Sequence, residues 1–134
     1  MFRAPKSSRS RILLVDDDAL DSRTRMEALE RHFQGVERVR GAAEALILLE
    51  DAAVAQSVAL VLVELHRPEL TGPEFVRELV RRAPGAAVLV LGQRGESAAD
   101  YPGKHVHFLP RNASIGEMLA GVRGALAARL HRAA

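Results

Sequence analysis

A chain of 134 residues with a net charge of +2 and no cysteine suits one domain around a single core, and it excludes a disulfide framework or a thiolate metal site. No stretch approaches the roughly 18 consecutive apolar residues of a membrane span, and Met1 to Ser10 lack the apolar segment of a secretory leader, so a cytoplasmic protein is expected. Positive charge gathers at the two ends, on Arg3, Lys6, Arg9 and Arg11 and on Arg123, Arg129 and Arg132, but no aromatic platform accompanies it, so solvated termini are expected before a nucleic-acid surface.

Residues 1–10 read as a basic tail and 11–131 as the domain. Ile12-Leu13-Leu14-Val15 is a short apolar run that stops at Asp16, Asp17 and Asp18, as a strand buried on both faces stops at a sheet edge. Ala19, Met26, Leu29 and Phe33 then mark one face of an amphipathic helix, with Asp18 as its N-cap and Gly35 beyond its end. Val36 to Arg40 is half polar and predicts a strand near the sheet edge. Ala42 to Ala55 predicts one alanine- and leucine-rich helix. Leu46, Ile47, Leu48 and Leu49 give that helix more apolar surface than one buried stripe uses, and the excess marks a candidate contact surface.

Val58 to Val63 is the most apolar run and predicts the central strand, ending at Glu64. After the loop Leu65 to Gly72, Pro73 opens a helix with Phe75, Val76, Leu79, Val80 and Ala83 on one face, broken by Pro84-Gly85. Ala87 to Leu91 is a fourth strand. Residues 92–103 hold glycines, a proline and little apolar content, so any helix there is expected to be short, weakly docked and mobile. His105 to Leu109 is a fifth strand. Ser114 and Glu117 have capping-box spacing, and the last helix turns Ile115, Met118, Leu119, Val122, Leu126 and Leu130 inward.

Alternating strands and helices demand an α/β fold: a doubly wound, flavodoxin-like parallel sheet of five strands in the order 2-1-3-4-5, with helices on both faces. In such a sheet the functional crevice lies beyond the strand carboxyl ends where strand order reverses, between strands one and three. Asp16, Asp17 and Glu64 converge there. Three carboxylates repel one another unless a cation sits among them, and hard oxygen donors with room for water suit Mg²⁺. Asp18 is expected to act as a helix cap only.

Ile12 to Asp18 resembles the opening strand and acidic pair of CheY-like receiver domains of response regulators. Leu60 to Gly72 resembles their phosphorylation strand and loop, with Pro68 four residues and Gly72 eight residues after the acceptor position, and Leu109 to Ser114 resembles the end of their fifth strand. The resemblance spans nearly the whole chain. It implies a signalling domain of two-component and phosphorelay systems, not an enzyme. Its partners would be proteins, a histidine kinase, an output domain or a second copy in a homodimer, with no membrane and no nucleic acid bound through the domain. Family receivers accept a phosphoryl group on an aspartate, with Mg²⁺ at the acidic pair, a hydroxyl after strand four and a lysine after strand five.

Here Glu64 holds the phosphoacceptor position, Gly92 the hydroxyl position and Arg111 the lysine position, while Phe108 matches the aromatic switch position. The resemblance places a weak Mg²⁺ site at Asp16, Asp17 and Glu64, with His66 where receivers offer a backbone carbonyl. One extra methylene moves a carboxylate by about 1.5 Å, which spoils in-line phosphoryl transfer, so Glu64 is expected to be a poor acceptor that imitates part of the phosphorylated charge. Arg111 offers a planar fork with which to grip Glu64. These substitutions describe a degenerate, phosphorylation-independent pseudo-receiver. A receiver with a non-standard acceptor and a DNA-associated regulator using the basic termini are the alternatives. A Mg²⁺-dependent phosphohydrolase ranks below them, because Gly92-Gln93 stands where such enzymes need further acids. No glycine-rich turn follows strand one, which excludes a Rossmann nucleotide site. His105 and His107 share a strand face without a third ligand nearby, and His32 and His131 read as surface residues.

Overall fold

The computed structural model describes residues 9–66 and 70–133, the last three without their side chains. The basic residues Arg3 and Lys6, Pro68 of the loop and the side chains of His131 and Arg132 lie outside the described set. The elements run β1 (Arg11–Asp16), α1 (Ala19–His32), β2 (Val36–Val39), α2 (Ala42–Leu48), α3 (Ala52–Ser57), β3 (Val58–Glu64), α4 (Gly72–Arg82), β4 (Ala87–Gly92), a 3₁₀ turn (Ala98–Asp100), β5 (Val106–Pro110) and α5 (Ile115–Ala133). All neighbouring strands are parallel, in the order β2-β1-β3-β4-β5. This is the flavodoxin-like sheet expected from the sequence.

Alternation along each strand divides the core into two layers. Leu13, Val15, Val61, Val63, Val88 and Val90 join Phe75, Val76 and Leu79 of α4 and Ala42 and Ala45 of α2 on one face. Ile12, Leu14, Leu60, Leu62, Leu89 and Leu91 join Leu29 of α1 and Met118, Leu119 and Val122 of α5 on the other. β3 is buried along its whole length, as a central strand covered on both sides must be, whereas the edge strand β2 buries Val39 alone.

Four local expectations change. The predicted helix Ala42 to Ala55 is two helices, because Asp51 accepts the N–H groups of Ala53 and Val54 and restarts the chain as a new N-cap. That break lets Leu46 and Leu48 rest against the core and leaves Ile47 alone outward, 67% exposed. Ala19 and Leu130 are exposed, and the inward faces of α1 and α5 run instead through Ser22, Arg25 and Leu29 and through Met118, Leu119, Val122 and Ala125. Between β4 and β5 a 3₁₀ turn replaces a regular helix, and it is docked by Tyr101, which is buried, stacks on Phe108 and donates its hydroxyl to Glu96 at 2.8 Å.

The terminal charges described are not simply solvated. Arg9 donates to the carbonyls of Ala55 and Val58, Arg129 to the carbonyl of Arg9, Arg11 pairs with Glu37, and Arg123 lies over the Phe33 ring. Ser10 is likewise fixed to the domain through the Ser57 carbonyl.

α4 carries the clearest sequence-encoded start. Thr71 Oγ1 accepts from the Glu74 N–H at 3.2 Å, and the Glu74 carboxylate accepts from the Thr71 N–H at 3.2 Å. Thr71→Ala removes the Oγ1 that accepts the Glu74 N–H and keeps the backbone N–H that the Glu74 carboxylate accepts, so chemical denaturation should show a loss of about 1 kcal/mol. An unchanged midpoint would mean that water replaces the box at no cost.

Candidate functional site

Asp16 and Glu64 are register partners at the carboxyl ends of adjacent parallel strands. Each follows a valine of the α4 layer, so alternation turns both carboxylates toward the α1 and α5 side of the sheet. Both are buried. Asp16 Oδ1 accepts the Asp18 N–H at 2.9 Å, while Oδ2 is buried without a hydrogen-bond partner. Arg38, from the edge strand, donates twice to the Asp16 carbonyl, at 2.8 and 3.2 Å.

Sequence reasoning placed three acids and a missing cation here. The structure supplies the cation from α1: a terminal nitrogen of Arg25 lies 2.8 Å from Glu64 Oε1, with the Arg25 side chain 13% exposed. The signal was present in the periodicity, since Arg25 sits one turn before the buried Leu29 on the inward stripe, but an apolar pattern search passes over an arginine. His66 also enters the site through its ring. Its Nε2 lies 3.6 Å from Asp16 Oδ1, 3.7 Å from Glu64 Oε2 and 3.5 Å from Asp21 Oδ2.

Asp17 does not join the other two acids. Its Oδ1 accepts the backbone N–H of His66 at 2.7 Å, which pins the loop after β3. Among the described residues, the groups whose donor atoms lie together are Asp16, Glu64 and His66, and Asp18, Asp21 and His66. Asp18 caps α1, accepting from the Leu20 and Asp21 N–H groups, and its carboxylate also lies near that of Asp21 and the His66 ring. Arg111 does not grip Glu64 with its fork. Its Nε is 3.9 Å from Glu64 Oε2, the side chain is 45% exposed, and a terminal nitrogen meets His66 Nδ1 instead. Arg25 has taken the nearer place.

The residues Asp16, Glu64 and His66 are a cluster that could hold a metal ion, but they do not suit Mg²⁺ as they stand. That ion favours an octahedron of oxygens with several waters. Here one of the three donors is an imidazole, Asp17 is engaged by the backbone, and a guanidinium already rests on Glu64. Burial raises the pKa of Glu64 from its ordinary 4.5 to about 7, with Arg25 pulling it down and Asp16 and Asp21 pushing it up. Burial likewise raises that of Asp16, against the Asp18 N–H and Arg25. Desolvation of the two buried carboxylates outweighs the compensation that one neighbouring guanidinium supplies, which favours their protonated forms.

On the far side of the sheet end, Gly92 is buried, and a Cβ built on it would collide with the edge of the Phe108 ring. Phe108 thus fills the space where a hydroxyl-bearing side chain would stand, and it stacks on Tyr101 with ring centroids 5.8 Å apart. Gln93 donates from its side chain to the Leu65 carbonyl at 2.7 Å and ties the β4 end to the β3 end, a role its place in the sequence does not signal.

Neither a family model nor the sequence of a curated protein matches the chain. Solved structures do match in fold. A CheY-like response regulator receiver domain protein from Methanospirillum hungatei JF-1 superposes with a TM-score of 0.76 at 20% identity, covering 92% of this chain and 98% of that one. The signal receiver domain of an HD domain-containing protein from Pseudomonas fluorescens Pf-5 gives 0.74 at 24% identity, over 92% and 98%. A response regulator receiver protein from Sinorhizobium medicae WSM419 gives 0.74 at 20% identity, over 90% and 96%. The fold is that of the CheY-like receivers. At these identities the likeness is one of architecture, and the site must be argued from its own residues.

Proposed function

We propose that the chain is a regulatory domain of the response-regulator type that works through protein contact and without a phosphorylation switch. The observation that carries this reading is the state of residue 64, where a buried glutamate is held by Arg25 in the position that a receiver uses for its phosphoaccepting aspartate. A nucleophile needs a free lone pair directed at phosphorus and an open approach. On this reading the guanidinium 2.8 Å from Oε1 and the burial of the side chain together obstruct that approach to Glu64. The response step is compromised as well, for Gly92 brings no hydroxyl and Phe108 already occupies the space beside it.

The domain on this reading is not an enzyme, and it presents one surface to a histidine kinase, an output domain or another signalling protein. Mg²⁺ binds weakly at most. No helix among the described residues is long and apolar enough to cross a membrane, and the reading places the protein in the cytoplasm.

Acetyl phosphate with Mg²⁺, followed by intact-mass spectrometry, is the direct test. The expected spectrum shows the unmodified chain at every incubation time. An acid-labile, Mg²⁺-dependent phosphoryl adduct mapped to Glu64 would overturn the reading and make the protein a receiver with a non-standard acceptor.

A further inference from the structure

Two carboxylates on neighbouring strand ends cannot be buried together without a positive charge to offset them, and the fold can draw that charge from a solution metal or from a side chain. We propose that Arg25 is a built-in replacement for the divalent cation, closing the acidic pocket from within so that the strand ends are held together without Mg²⁺ and the ion is kept out. Three observations support it. Arg25 lies against Glu64 at 2.8 Å with little exposure, and of the charged groups acting on Asp16 and on Glu64 it exerts the largest pull on each. It is carried by α1, whose Leu29 is buried in the core one turn further on, so its position is set by helix packing and not by a loop. The third acid of the sequence cluster, Asp17, is engaged through Oδ1 by the His66 amide, so the donors that lie together beside Arg25 are Asp16, Glu64 and His66, a set that would suit a hydrated cation only once the guanidinium is gone.

Arginine suits this role because its guanidinium stays protonated at any working pH and is less strongly hydrated than an ammonium group. The pocket's charge balance alone is at issue, independent of the surface the domain offers to partners. A phosphoryl adduct on Glu64 would overturn the reading in the preceding section, whereas this one stands or falls on metal titration.

Titration of MgCl₂ into the intact protein by isothermal calorimetry, with MnCl₂ line broadening in NMR as a second readout, should show no saturable site in the wild type. Arg25→Met removes the charge and keeps much of the volume, and the same titration should then reveal a site at Asp16 and Glu64 that binds at least about tenfold more tightly. Equal Mg²⁺ affinity in the two proteins, or a folded variant that gains none, would overturn the proposal. Should Arg25→Met melt too low to titrate, Arg25→Met combined with Glu64→Gln removes both members of the pair, and its melting temperature is expected to recover toward that of the wild type. A double variant as unstable as the single one would make Arg25 a packing residue and end the proposal.

Discussion

Replacing Gly92 by threonine should destabilise the domain by about 2 kcal/mol and drive the Phe108 ring out of its place at the end of β4. The backbone of Gly92 is ordinary, since the positive φ angles occur elsewhere, at Gly35, Gly95 and Gly103. What the position requires is space. A Cβ there overlaps the edge of the Phe108 ring, and the ring cannot yield without losing its stack on Tyr101, itself buried beneath the 3₁₀ turn. The substitution does reduce the freedom of the unfolded chain, which favours folding by about 0.4–1 kcal/mol, but overpacking of a filled site outweighs that gain. Urea denaturation gives the stability, and loss of the Tyr101 to Phe108 ring NOEs reports the displacement. A Gly92→Thr protein as stable as the parent, with those NOEs intact, would show that the pocket yields in some other way. The functional corollary is that this side chain cannot be restored to a hydroxyl alone, because Phe108 must find another position first.

Stability should fall as the pH rises from 4.5 to above 7, opposite to the usual behaviour of a protein's carboxylates. The folded-state pKa of Glu64 is raised from 4.5 to about 7, so between these values the folded chain holds a proton that the unfolded chain has released. A raised pKa gives a contribution that is complete below the unfolded value and is lost as pH climbs through the folded one. With the side chain only 2% exposed, the full swing is about 3 kcal/mol. Asp16 moves in the same direction through burial. The charges that face Glu64 come from each element around it: Asp16 from the end of β1, Asp21 and Arg25 from α1, His66 from the loop after β3 and Arg111 from the turn after β5. Denaturation midpoints across this pH range, compared between the wild type and Glu64→Gln, isolate the effect, since the amide neither ionises nor repels Asp16. The variant is expected to lose most of the slope and to be the more stable protein at the alkaline end. A wild-type stability that climbs through the same range would mean that Arg25 holds Glu64 ionised throughout.

Apolar runs were decisive for the sheet. A parallel strand covered on both faces must be continuously apolar, so Ile12 to Val15, Val58 to Val63 and Ala87 to Leu91 could be placed from local composition, and their alternation with helices left few topologies open. The same reasoning brought Asp16 and Glu64 to adjacent strand ends, where they are register partners. Helix boundaries were less legible. Nothing in the leucines of residues 46–49 announces the break at Glu50, which is the work of Asp51 capping a new helix.

What completes the pocket was decided by packing across the chain. Arg25 meets Glu64 because α1 leans on the sheet with Leu29 buried, Asp17 leaves the cluster because the β3 loop offers it the His66 N–H, and Phe108 fills the position of a missing side chain because Gly92 leaves the space open. Each contact joins residues distant in sequence and depends on the direction a polar side chain takes after the apolar ones have found the core. Periodicity fixes which face of a helix turns inward; it cannot fix which charged group that face delivers to the end of a neighbouring strand. The amino-acid sequence by itself therefore determined the sheet, its order and the acids at its edge, and tertiary structure alone decided that an arginine stands among them, because charge compensation between buried groups is settled by non-local geometry.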